Sequence, residues 1–186
     1  MDRDRWRPSH VVLTGPMGSG KTTVGRLLAA RLGRPFVDSD AQIEALYGSN
    51  AKILADERGV GWLHEAEGHA LLAALERRQP SIVAAAASIG DLDRAGDILQ
   101  GDRAAVVLLV GDADVLAQRS EAGAHRRPVS VESYAELTDR RTEALRPFAD
   151  SLIDVTHIRP DEVVEKILAD LDESIPQRQK AGDDGA

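Results

Sequence analysis

Apolar residues along this chain fall alternately into short unbroken runs and into stripes at helical spacing. Residues 10–14 (His-Val-Val-Leu-Thr) have the length and composition of a strand buried on both faces. Over 22–32, Val24, Leu27, Leu28 and Leu32 share one side of a helix that Gly33 stops. A short strand is predicted over 35–38, a helix over 40–47 stopped by Gly48, and another over 51–58. A longer helix over 62–78 carries the stripe Leu63, Ala66, Ala70, Leu71, Ala74 and Leu75. Residues 81–84 read as a third strand, and the register of strand spacing carries the alanines 84–87 with it despite alanine's helical preference. The rest divides into a strand over 104–110, a helix over 112–120, a polar loop over 121–129, a helix over 131–146, a strand over 151–155 and a helix over 161–171.

Strand and helix alternate from end to end, which predicts an α/β fold: five parallel strands with helices on both faces. A chain of 186 residues suits one domain. Its expected limits are 9–173, between a charged extension over 1–8 and a disordered polar tail over 174–186. Aromatics make up only 3%, so the core must be built from Ala, Leu, Val and Ile. The absence of cysteine excludes disulfides, thiolate metal sites and cysteine nucleophiles. A net charge of -8 argues against a nucleic-acid partner, and apolar runs far short of a span argue against a membrane. The charged N-terminus is no secretory signal, so a cytoplasmic location is expected. Positive charge nevertheless gathers at Arg119, His125, Arg126 and Arg127, a local patch that suits a phosphate ligand.

The run Gly15-Pro16-Met17-Gly18-Ser19-Gly20-Lys21-Thr22 meets the pattern G-x-x-x-x-G-K-[ST] between an apolar strand and an amphipathic helix. Glycines let successive backbone N–H groups turn toward phosphate oxygens, and the helix adds its positive end. Lys21 is placed to reach the β- and γ-phosphates of ATP, and Thr22 to offer a hydroxyl to Mg²⁺. Gly15, Met17, Gly18, Ser19, Gly20, Lys21, Thr22 and Thr23 are the expected nucleotide contacts. Asp38-Ser39-Asp40 follows at the carboxyl end of the second strand, where open parallel sheets bind ligands. Two carboxylates there can divide the work: one holds hydrated Mg²⁺, and the other orients or deprotonates a hydroxyl. Alternatively Asp40 caps the next helix.

With the loop, Thr23 to Ala29 (Thr-Val-Gly-Arg-Leu-Leu-Ala) and Pro35-Phe36-Val37-Asp38-Ser39-Asp40, the stretch 10–40 resembles the shikimate kinases, and the resemblance continues more weakly to about Leu171. It implies a P-loop kinase with a five-stranded sheet, a mobile lid (here about 119–131), ATP with Mg²⁺, and phosphoryl transfer to a hydroxyl of a small carboxylated cyclic polyol. By this likeness Asp38 assists the metal and Asp40 holds the acceptor hydroxyl. Arg127, followed by Pro128, stands where a lid arginine meets ATP and the transition state. Arg119 matches an arginine stacked on adenine, Arg159 lies in an adenine-side loop, and Arg141 matches an arginine that grips the substrate carboxylate.

Two departures mark the acceptor half. The family's Gly-Gly-Gly run is Ala85-Ala86-Ala87 here, and added methyl groups restrict the backbone and take up ligand space. Its Phe-Arg-x-x-Glu motif becomes Leu63-His64-Glu65-Ala66-Glu67, so that His64 replaces a carboxylate-gripping arginine while Glu67 is kept. Histidine lacks the bidentate fork and is mostly neutral at pH 7. His64 and His69, five apart, do not share a helix face as a zinc pair would. The expected activity is transfer of the ATP γ-phosphate to a small polyol or hydroxy acid by a monomer, with Asp40, His64, Ala86 and Arg141 against the acceptor. The alternatives are a gluconate-type sugar-acid kinase, suggested by 50–63, and a nucleotide-binding regulatory module without turnover, suggested by the altered acceptor half.

Overall fold

The apolar runs pair into one parallel sheet. In the computed structural model, which describes residues 10–100, 103–121 and 131–183, β1 (His10–Thr14), β2 (Phe36–Asp38), β3 (Ile82–Ala84), β4 (Ala104–Val110) and β5 (Ser151–Asp154) lie in the order β2-β3-β1-β4-β5. Val12 is level with Val83 on one side and Val106 on the other. Val37 is level with Val83, and Leu108 with Leu152. The extension expected over 1–8 lies outside the described residues.

Because side chains alternate across a strand, each run feeds two cores. Val11, Leu13, Ile82, Val107 and Leu109 meet Val24 and Leu28 of α1 (Lys21–Leu32) and Val163 and Ile167 of α8 (Pro160–Asp183). Val12, Val83, Val106 and Leu108 face the other way, onto Leu71 and Leu75 of α4 (Val60–Leu75), Ile98 of α5 (Ala95–Leu99) and Leu145 of α7 (Val131–Leu145). A third cluster of Ile43, Leu54, Leu63, Ala66 and Ala70 joins α4 to α2 (Ser39–Tyr47) and α3 (Ala51–Arg58). The remaining helix, α6 (Ala113–Glu121), follows β4.

The largest departures from the pattern's prediction are these. β3 stops at Ala84; Ala85 N–H still donates to the Leu13 carbonyl at 2.9 Å, and the chain then leaves the sheet in a 3₁₀ turn over Ala87–Asp91. That departure carries Ala87 and Ile89 down onto the second core, so burial on a helical face outweighs strand spacing for this alanine run. α4 ends at Leu75, ahead of the predicted 78. α5 was not anticipated, since five residues are too few to show a period. α8 continues to Asp183, past the predicted end at Leu171 and into the stretch expected to be a disordered tail.

Candidate active site

The strand order reverses beside β1, and the loop 15–20 leaves its carboxyl end there. Gly15 has φ +140°, and a Cβ on it would stand 2.1 Å from the Leu109 carbonyl oxygen. Gly18, at φ +76°, would place a Cβ 2.1 Å from the Leu116 carbonyl oxygen. The loop thus lies on bare backbone against β4 and α6, at angles that suit glycine. Lys21 opens α1, and its ammonium donates to the Gly15 carbonyl at 2.7 Å and the Pro16 carbonyl at 2.9 Å. Tyr134 of α7 donates its hydroxyl to the Met17 carbonyl and braces the outer side. Ser19 is 2% exposed, and its Oγ has no hydrogen-bond partner among the described residues. A buried, unpartnered hydroxyl of that kind in a glycine-rich loop fits a phosphate group.

Asp38 joins this loop to the second strand. Its Oδ2 accepts from Thr22 Oγ1 at 2.9 Å, while Oδ1 accepts from the N–H groups of Asp40 at 3.1 Å and Ala41 at 3.4 Å. Asp38 therefore caps α2, and the alternative that Asp40 is the cap is corrected: Asp40 sits in the helix's first turn, exposed, on the wall of the cleft. Thr22 and Asp38 present two hard oxygen donors side by side, the set that suits Mg²⁺. No group of three or more His, Cys, Asp or Glu converges on a metal position among the described residues, so Mg²⁺ here would complete its shell from phosphates and water.

The acceptor half is built by α4, the 3₁₀ turn and α7. Ala85, Ala86, Ala87 and Ser88 line the cleft where β3 ends. Glu67 is 5% exposed and accepts a hydrogen bond from Ser88 Oγ. Burial pushes its pKa up to about 7, against the opposing pull of that bond and with a further push from the Asp40 charge. Arg141 donates from Nε to Asp91 Oδ2 at 2.9 Å, and its Nη2 lies 2.8 Å from the same oxygen. His64 places Nε2 3.3 Å from Arg141 Nη2 and Nδ1 3.7 Å from Asp91 Oδ2. Burial, and next the Arg141 charge, lower the His64 pKa, so its ring is neutral at pH 7. A guanidinium nitrogen only donates, so Nε2 accepts and the ring proton is assigned to Nδ1, facing Asp91.

Arg119 lines the nucleotide side, where its guanidinium donates to the Val155 and Thr156 carbonyls, each at 2.9 Å. Ile158 and Pro160 line the same wall, but Arg159 between them does not. Its exposed guanidinium pairs with Asp161 instead. Arg127 and most of the lid expected over 119–131 lie outside the described residues. One cleft of about 1050 Å³ thus gathers Gly15 to Thr23, Asp38, Asp40, His64, Ala86, Arg119 and Arg141. That is slightly above the ~300–1,000 Å³ usual for small-molecule sites, room enough for more than one small ligand. Sequence reasoning missed Ser88, Asp91 and Tyr134. A motif flags the loop, but these three reach the site only because the chain turns after β3 and α7 lies over it.

Comparison with known proteins places this geometry. The family model described as shikimate kinase matches residues 17–172. The chain is 33% identical over 168 residues to a shikimate kinase of Halorhodospira halophila, covering 88% of this chain and 94% of that one. The shikimate kinase of Acinetobacter baumannii, solved in complex with shikimate, superposes with a TM-score of 0.79 at 27% identity, covering 87% of this chain and 92% of that one. A gluconokinase from Sinorhizobium meliloti superposes with a TM-score of 0.65 at 25% identity, covering 94% and 97%.

Proposed function

The chain belongs to the shikimate kinase family, and from that premise we propose that its cleft moves the γ-phosphate of ATP to a hydroxyl of a small polyol or hydroxy acid. The observation that carries this reading is the 2.9 Å bond from Thr22 to Asp38, which ties the phosphate loop to the strand that delivers Asp40. In this reading it sets the proposed metal oxygens beside the start of the helix that carries Asp40.

Each residue's part follows from its chemistry. The loop amides, Ser19 and Lys21 hold the phosphates, with Thr23 at the start of α1 beside them. Thr22 and Asp38 would hold Mg²⁺. Bound there, ATP with Mg²⁺ supplies the phosphoryl group and the cation that neutralises its charge. Asp40 would accept the proton of the acceptor hydroxyl as that oxygen bonds to the γ-phosphorus and the bond from that phosphorus to the β–γ bridging oxygen breaks, releasing ADP. Arg141 and the Ala86 backbone hold the acceptor's far side, with His64 behind Arg141. Arg119 keeps the nucleotide wall in place, and Arg127 closes over the phosphates from the lid. Arg159 is left a peripheral role at the adenine end. Every residue of this proposed site comes from one chain, which is compatible with a monomer, and ATP as donor is compatible with the cytoplasm.

The gluconokinase likeness is weaker, with a TM-score of 0.65 against 0.79, and the intact loop, Asp38 and Asp40 argue against a module without turnover. Coupled ADP release with Mg²⁺ and millimolar shikimate, quinate, gluconate and other polyols tests the reading. Acceptor-dependent ADP release is expected. ATP binding with no release on any acceptor would sink it.

A further inference from the structure

Arg141 is the one guanidinium lining the acceptor half among the described residues, since Arg119 lies on the nucleotide side against the Val155 and Thr156 carbonyls. A guanidinium grips a carboxylate best through two parallel donors. Here the Nε and Nη2 edge is already taken, at 2.9 and 2.8 Å, by Asp91 Oδ2. The His64 ring is 3.3 Å from Nη2 on its other side. Nη1 is left as the nitrogen without a partner among the described residues.

Asp91 is fixed in this position. Its Oδ1 meets Arg140 Nη1 at 3.1 Å, and its side chain is only 11% exposed. The preceding Gly90 lets the 3₁₀ turn press against α7: a Cβ there would stand 3.0 Å from Leu145 Cγ and 3.3 Å from Ala144 Cβ. A neutral His64 adds no charge to the wall. Arg141 and Asp91 cancel, and Arg140, with a side chain 64% exposed, is screened by solvent.

We propose that Asp91 determines acceptor specificity: it is an internal carboxylate that occupies Arg141, so the cleft takes hydroxyl-bearing acceptors without requiring them to carry a carboxylate. This rests on reading the cleft as a kinase acceptor site, and it deepens that reading. Asp91 acts through Arg141, so its signature is in KM for charged acceptors.

The probes are shikimate and its carboxamide, which keeps the hydroxyls and loses the charge. For the wild-type protein, kcat/KM for the two differs by less than about tenfold, because one free nitrogen cannot supply the roughly ten- to hundredfold that a charge-assisted pair gives. In Asp91→Asn the fork is released, and the preference for shikimate rises by about tenfold or more through a lower KM for shikimate. A wild-type preference for shikimate above about tenfold overturns the proposal without any variant, and so does a higher shikimate KM in Asp91→Asn. Calorimetric titration of shikimate into both proteins separates this from turnover. Tighter binding to Asp91→Asn supports the proposal even if no acceptor releases ADP, a result that would sink only the kinase reading; equal or weaker binding overturns it.

Discussion

Replacing Glu67 with Gln should change how stability depends on pH, and the size of the change follows from its surroundings. Glu67 lies on the buried face of α4 with a folded pKa of about 7 against an ordinary 4.5, raised first by burial. A carboxyl whose folded pKa is raised stabilises the protein while protonated. That stability is complete below the unfolded value and is lost as pH rises through the folded one. Linkage between these two values puts the loss at about 1 kcal/mol by pH 5 and about 3 kcal/mol by pH 8. Glutamine keeps the shape and a hydrogen bond with Ser88 but cannot ionise. The advantage of Glu67→Gln over wild type should therefore grow by about 2 kcal/mol from pH 5 to pH 8. Urea unfolding of both proteins at the two pH values measures this directly, and other titrating groups cancel in the difference. If the two stability curves run parallel between pH 5 and 8, Glu67 ionises freely in the folded state and the account of a desolvated carboxyl is wrong.

Lys21→Ala removes the charge laid across the loop at Gly15 and Pro16, and turnover should fall by about 10² or more, with weaker Mg·ATP binding by titration. Asp40→Asn should lower kcat by about 10²–10⁴ with ATP affinity nearly unchanged, as steady-state kinetics on the true acceptor will read; full activity would leave Asp40 without a chemical role. Asp38→Asn weakens both the Thr22 pair and one metal oxygen, so the Mg²⁺ concentration giving half-maximal rate should rise several-fold in a magnesium titration. Gly18→Ala forces a side chain into the Leu116 carbonyl at φ +76° and should lower stability by about 2 kcal/mol or more; an unchanged unfolding midpoint would contradict the backbone contact.

The parts of this fold legible in the sequence were those with a repeated signal. Unbroken runs such as 104–110 and stripes such as Val24 with Leu28 state their burial at several positions at once, and each appears in the structure as a strand or helix. The alanine run was not legible, because alanine fits a strand, a helix or a turn without conflict. Its conformation is decided by a second core that only the folded chain assembles. The same holds for α5, whose Ile98 and Leu99 complete that core from a helix too short to show its period.

The candidate site divides along the same line. The phosphate loop and Asp38 are contiguous chemistry, where spacing along the chain sets spacing in space, and the structure brings them together. The wall proposed for the acceptor is lined by residues 64, 67, 88 and 141, with 91 paired to 141, and is joined by packing of α4, the turn after β3 and α7. Reading His64 alone predicts a weakened grip on a carboxylate, but the contacts around it involve more than its own position. His64 is turned to Arg141, and Arg141 is turned to Asp91. A substitution in one motif therefore cannot be judged at its own position. Restoring an arginine at 64 would set a second guanidinium beside Arg141, where the two would repel each other and compete for Asp91, so the effect of that substitution depends on Asp91 as well.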